Sequence, residues 1–208
     1  MQGNKVIAIG RQFGSRGIDI GKQLAEELGY EFYDKEILIH AAEQSGLHID
    51  LLKRNDEKRT SSLLYTLAIG QHNLTSAVSG AENTIGTQLY IAQVNAIKSL
   101  AAKSNCVMVG RCADYFLEGL CDLTSVFITA DDKYRIERIK RERGLSEKDA
   151  ADLMKKTDRS RASFYNSTTG RKWGEAKYYD LCLSSSELGV DGAVKLIRTF
   201  LDYKLQKQ

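Results

Sequence analysis

VIAIGRQFGSRGIDIGKQLAEEL, residues 6–28, opens with the apolar run Val6 to Ile9, breaks at Gly10 and passes through a loop holding Gly14 and Gly17. A helical pattern follows, with Ile20, Leu24 and Leu28 at four-residue spacing. Strand, glycine-bearing loop and helix, in that order, aim backbone N–H groups and a helix N-terminus at a phosphate. Set against the phosphate-loop pattern G-x-x-x-x-G-K-[ST], Gly10 takes the first position. Ser15 stands at the second glycine, Arg16 at the lysine and Gly17 at the hydroxyl. A plain strand-loop-helix packing unit is the alternative for this stretch taken alone.

Outward from this unit the chain alternates strands with helices. Tyr30 to Tyr33 is a short aromatic strand candidate, followed by Asp34 and a helix from about Lys35 to Gln44. Asp34 falls at the carboxyl end of a strand, where open α/β sheets place ligand contacts, and also suits a helix N-cap. Ile85, Leu89, Ala92, Ala96 and Leu100 trace one helical face. Asn105 to Val109 and Thr124 to Ile128 are continuous apolar runs, as a parallel sheet covered on both faces requires. Asp131–Asp132 leads into a helix to about Glu142, Ser146 to Asp149 reads as a capping box for a helix through Phe164, and Tyr179 to Leu183 is a last strand before a helix. Five strand candidates separated by helices predict a three-layer α/β/α fold around a five-stranded parallel sheet, in one domain over 1–208. Residues 46–84 look like an insertion, either a substrate-covering segment or a dimer contact.

With 208 residues and ordinary hydrophobic and charged fractions, the chain suffices for a sizeable core. It carries no apolar run of membrane-spanning length and no signal-peptide pattern, so a cytoplasmic protein is expected. Cys106, Cys112, Cys121 and Cys182 form no C-x-x-C pair and no metal spacing with His40, His48 or His72, and read as reduced thiols. The net charge of +3 is unevenly spread: Lys133 to Lys172 holds thirteen Lys/Arg and six Asp/Glu. Such a segment suits an anionic partner, a polyphosphate or a nucleic acid.

Phosphoryl transfer requires cations converging from several elements. Arg16 comes from the loop, Arg111 from the end of a buried strand, Arg135 and Arg138 from one helix face, and Arg159 and Arg161 from a cluster behind Asp158. Guanidinium suits this work through its planar, two-pronged hydrogen bonding. A solvated helix face and a surface ion-pair patch are the plain alternatives for the last two groups.

In that order, IAIGRQFGSRG (7–17), FYDKEI (32–37), VMVGRCADYFL (107–117), TDRSRASFY (157–165) and YDLCLSSSELG (179–189) resemble the cytidylate kinase-like family of nucleoside monophosphate kinases. The resemblance implies a P-loop kinase-like core, a helical monophosphate-binding segment and a basic helical lid over 131–175. It assigns donor phosphates of ATP to Gly10, Arg11, Gln12, Phe13, Gly14, Ser15, Arg16 and Gly17, with Arg135 and Arg138. The acceptor, CMP or dCMP first, falls to Asp34, Lys35, Arg111 and Asp114, and catalysis to Arg16, Asp158, Arg159 and Arg161. Arg16 and Ile18 stand where typical members carry lysine and threonine, and Lys35 replaces a small polar residue. Mg²⁺ is then left to Ser15, or to Asp19 through water. The expected partners are ATP and a nucleoside monophosphate, with a homodimer open and neither membrane nor nucleic acid anticipated, since the basic segment lacks interleaved aromatics. A non-catalytic nucleotide-binding protein on the same fold, or a kinase of another small molecule, is the alternative.

Overall fold

The apolar runs become the strands of one sheet. The computed structural model describes residues 3–34, 36–46 and 85–206. In chain order the elements are β1 (Lys5–Arg11), α1 (Gly17–Leu28), β2 (Glu31–Tyr33), α2 (Glu36–Ser45), α3 (Ile85–Lys103), β3 (Cys106–Val109) and α4 (Ala113–Phe116). They continue as β4 (Asp122–Thr129), α5 (Asp132–Arg143), α6 (Glu147–Thr169), β5 (Leu181–Ser184) and α7 (Ser185–Gln206), the last interrupted at Gly189. The strands are all parallel, in the order β2-β3-β1-β4-β5.

Alternation along each strand divides the core between the two faces. Val6, Ala8, Cys106, Met108 and Phe127 pack with α2, α3 and α4. Ile7, Ile9, Val107, Val109, Val126 and Ile128 pack with Ile20 and Leu24 of α1 and with Val194 and Ile197 of α7. Helices on both faces are what continuous apolar strands demand, and each fully buried Ile or Val contributes about 1.5–3 kcal/mol.

The chain leaves β1 toward β2 and leaves the adjacent β3 toward β4, so the two connections diverge above the carboxyl ends of neighbouring strands. A crevice at such a divergence is where open α/β sheets bind ligands. α5 and α6 stand over this edge with a small core of their own, Ile139, Ala150 and Met154, against which Phe13 of the β1–α1 loop packs. Ser146 starts α6 by accepting the Asp149 N–H at 3.1 Å.

Several boundaries and one short element differ from expectation. β1 does not break at Gly10, because Gly10 and Arg11 pair with Phe127 and Ile128. α6 runs past Phe164 to Thr169, where Gly170 closes it in a left-handed conformation. The single-turn α4 is too short to show a period. Residues 47–84, and Lys35, lie outside the described residues.

Candidate active site

The β1–α1 loop is held from beneath and behind. The Gln12 N–H donates to the Ile128 carbonyl at 3.0 Å, and its side-chain oxygen accepts the Ala130 N–H at 3.1 Å. Ser15 is fully buried, its hydroxyl donating to the Gln12 carbonyl at 2.9 Å. The buried Ser185 hydroxyl lies 2.7 Å from the Ser15 carbonyl and 3.1 Å from that of Thr129, tying the start of α7 to the loop. Arg16, with φ 61°, turns the chain into α1 and provides no side-chain cap. The first-turn N–H groups of α1 thus have no side-chain acceptor from Arg16, which fits a polyphosphate at that end.

Three arginines from three elements line one cavity at the divergence of β1 and β3: Arg11, Arg111 and Arg161. The stem of Arg11 crosses Gly17 and its guanidinium lies over Gly110, where a Cβ would overlap it. Asp34, from the end of β2, holds that guanidinium at 3.5 Å. Arg161 of α6 donates to the Arg11 carbonyl at 2.9 Å and faces the Phe13 ring. Arg111 sits in a run of three left-handed residues, Gly110, Arg111 and Cys112, at φ 80°, 62° and 55°. Non-glycine residues held in that region carry strain of the kind that gathers at functional sites.

Phe164, Tyr165, Trp173 and Tyr179 complete the wall, with Asp114 below them. The cavity measures about 40 Å³, space for water and not for a nucleotide. Asp114 is 8% exposed and accepts the Tyr165 hydroxyl at 2.7 Å. Burial raises its pKa from the ordinary 3.8, against the opposing pull of that hydrogen bond. Burial, then the Asp114 charge, likewise pushes the Tyr165 hydroxyl upward.

A carboxyl whose folded pKa lies above its unfolded value binds its proton more tightly in the native state. Its contribution is therefore present below pH 3.8 and is lost as pH rises through the folded pKa. Asn retains an acceptor for Tyr165 without the charge. Wild-type stability measured by urea titration is expected to carry a component that falls above pH 4, and Asp114→Asn is expected to remove it; identical slopes for the two proteins would refute this.

The other expected residues divide into two groups. Arg135 is buried, with its guanidinium against Asp158, the Phe13 carbonyl (3.2 Å) and Asp132 (2.7 Å). The second oxygen of Asp158 accepts the Phe13 N–H at 2.7 Å, so a carboxylate from α6 already occupies a loop donor. Arg16 and Arg138 both hold Asp19 Oδ2, at 2.9 and 3.0 Å. Asp158 and Arg161, three apart on α6, face the loop, whereas Arg159 is exposed. Tyr179 and Ser185 lie within the 179–189 stretch that carries the resemblance but gain no role from it, and no sequence pattern singles out Trp173; their partners in the site are distant in the chain.

Direct ligation of magnesium by this donor set fits poorly. The Ser15 hydroxyl is buried and engaged, and two guanidinium groups already neutralise Asp19. Among the described residues no group of three or more His, Cys, Asp or Glu converges. Nor is any described helix long and apolar enough to cross a membrane.

A parallel sheet in this order, a loop-to-helix turn after β1 and arginines at the strand ends define the class as a P-loop kinase fold. Solved structures of that class cover nearly the whole chain. A shikimate kinase from Bacteroides thetaiotaomicron matches with a TM-score of 0.55 at 13% identity, over 95% of this chain and 98% of that one. A shikimate kinase from Aquifex aeolicus vf5 matches at 0.51 and 18%, over 98% and 99%. An uncharacterized protein from Eubacterium ventriosum ATCC 27560 is similar at a TM-score of 0.72 and 32% identity, over 96% and 99%. No curated protein matches.

The model of the cytidylate kinase-like family matches residues 6–187, and the chain belongs to that family. Family and fold together support phosphoryl transfer as its general chemistry.

Proposed function

We propose that this protein transfers the terminal phosphoryl group of ATP to a nucleoside monophosphate, CMP or dCMP first among them. The observation that supports this reading is the meeting of Arg11, Arg111 and Arg161 in one cavity beside the N-terminus of α1. Cations from β1, the loop after β3 and α6 offer a charge clamp for two phosphate-bearing ligands, as transfer requires. In the reaction an acceptor phosphate oxygen bonds to the γ-phosphorus while the bond to the bridging oxygen breaks, its electron pair leaving with ADP. The loop 10–17 and the α1 N-terminus take the donor phosphates, Arg111 the acceptor phosphate, and the aromatic wall with Asp114 its base. Magnesium arrives with ATP, held chiefly by phosphate and water oxygens.

The 131–175 segment acts in this scheme as a lid that lifts to admit nucleotides and closes to exclude water. Residues 46–84 serve as the monophosphate-binding segment. ADP release from ATP and Mg²⁺ with a panel of nucleoside monophosphates, shikimate and gluconate tests the proposal. Turnover on a pyrimidine monophosphate is expected; no ADP from folded protein on any acceptor would refute catalysis. The second reading, nucleotide binding without turnover, draws on the Asp158 carboxylate at the loop N–H. It gives nucleotide-dependent thermal stabilisation with no product.

A further inference from the structure

We infer that Arg11, and not Arg16, is the catalytic cation that takes the place of the phosphate-loop lysine; the inference rests on the kinase reading above. The loop pattern calls for one cation reaching the phosphates in transfer. Arg16 holds that position by count, but its guanidinium turns outward to Asp19, in a cluster completed by Arg138 and Glu142. It does not line the cavity. Arg11, the last residue of β1, does.

The surroundings of Arg11 are built around its side chain. On Gly17, the first residue of α1, a Cβ would approach Arg11 Cβ to 2.5 Å and its Cγ to 3.0 Å. On Gly110 a Cβ would overlap the guanidinium itself. Two glycines from different elements therefore open one continuous channel, the first for the stem and the second for the head. Asp34 then pairs with the fork at 3.5 Å, and both side chains are about seven-eighths buried. Arg161 grips the Arg11 backbone carbonyl from above.

The result is a fixed guanidinium between the loop after β1 and the loop after β3. In the proposed reaction those loops carry the donor and acceptor phosphates. A cation there faces the phosphoryl group as its bond to the bridging oxygen breaks and negative charge grows on ADP. A planar fork held in advance stabilises that charge without reorganisation. Arg11 thereby does from the strand end what the lysine does from the loop.

The test compares wild type, Arg11→Ala, Arg11→Lys, Gly17→Ala and Arg16→Ala for ADP formation from ATP and Mg²⁺, using the best acceptor in the panel. Circular dichroism checks folding of each. Arg11→Ala is expected to lower kcat about 100-fold with a smaller change in KM for ATP, as for loss of a group acting in the transition state. Arg16→Ala should lose at least tenfold less. Free guanidinium, at concentrations far below those that unfold proteins, should restore part of the Arg11→Ala rate and none of the Arg16→Ala rate. Gly17→Ala keeps every charge and favours helix, yet should reduce kcat by displacing Arg11.

Wild-type turnover with Arg11→Ala retaining kcat, or with Arg16→Ala the more damaging change, overturns the inference and leaves the kinase reading standing. A wild type that turns over no acceptor overturns the kinase reading and this inference with it.

Discussion

Arg135→Ala is expected to lower the free energy of unfolding by about 3 kcal/mol, at the low end for breaking a buried ion pair from one side. The Arg135 side chain is 5% exposed and that of Asp158 16%. Removing the guanidinium strands the Asp158 carboxylate in a partly desolvated position with the Phe13 N–H as its remaining short contact. The Phe13 carbonyl loses a donor at the same time. Gly14 packs on the Arg135 backbone and Cβ, which alanine retains, so the loss is confined to the contacts of the guanidinium and its stem. Urea denaturation measures the effect. Pairing Arg135→Met with Asp158→Asn removes both charges and should recover most of the loss. A change below about 1 kcal/mol in the single variant would mean that solvent already screens the pair.

That clamp also shows which features the sequence makes legible. The central strands are readable because burial on both faces leaves no room for polar residues at Val6 to Ile9, Cys106 to Val109 or Val126 to Ile128. β2 is an edge strand of three residues, and only its aromatic character and the following Asp34 mark it. Within the site, the motif Asp158-Arg159-Ser160-Arg161 reads as one cluster, but helix geometry divides it. Residues three apart share a face and successive residues diverge by about 100°, so Asp158 and Arg161 reach the loop while Arg159 stays in solvent.

Arg11 and Arg16 pose the same difficulty. Counting along a pattern favours Arg16, whereas strand parity carries Arg11 onto the face of Ile7 and Ile9, toward Gly17. An acid three residues after Arg16 is the one local sign that it has another partner. The bonds from the Phe13 N–H to Asp158 and from Arg161 to the Arg11 carbonyl join residues about 150 positions apart, beyond any spacing argument.

Arg111 is where the proposed acceptor contact and backbone strain coincide, and replacing it separates them. Arg111→Ala should reduce turnover on the nucleoside monophosphate by about 100-fold, through loss of a guanidinium at the acceptor phosphate. Arg111→Lys keeps the charge but not the fork and should fall between. Arg111→Gly removes the same side chain and should match Arg111→Ala in turnover. Its stability should differ, because at φ 62° alanine still places a Cβ against the following carbonyl and glycine does not. Arg111→Gly is therefore expected to be about 1 kcal/mol more stable than Arg111→Ala, measured by thermal and urea unfolding. With Gly110 and Cys112 also left-handed, relief at the middle residue should not be offset by its neighbours. Equal stability of the two variants would show that the turn relaxes without its arginine. Unchanged turnover in both would remove Arg111 from the acceptor site and move the phosphate clamp to Arg11 and Arg161 alone.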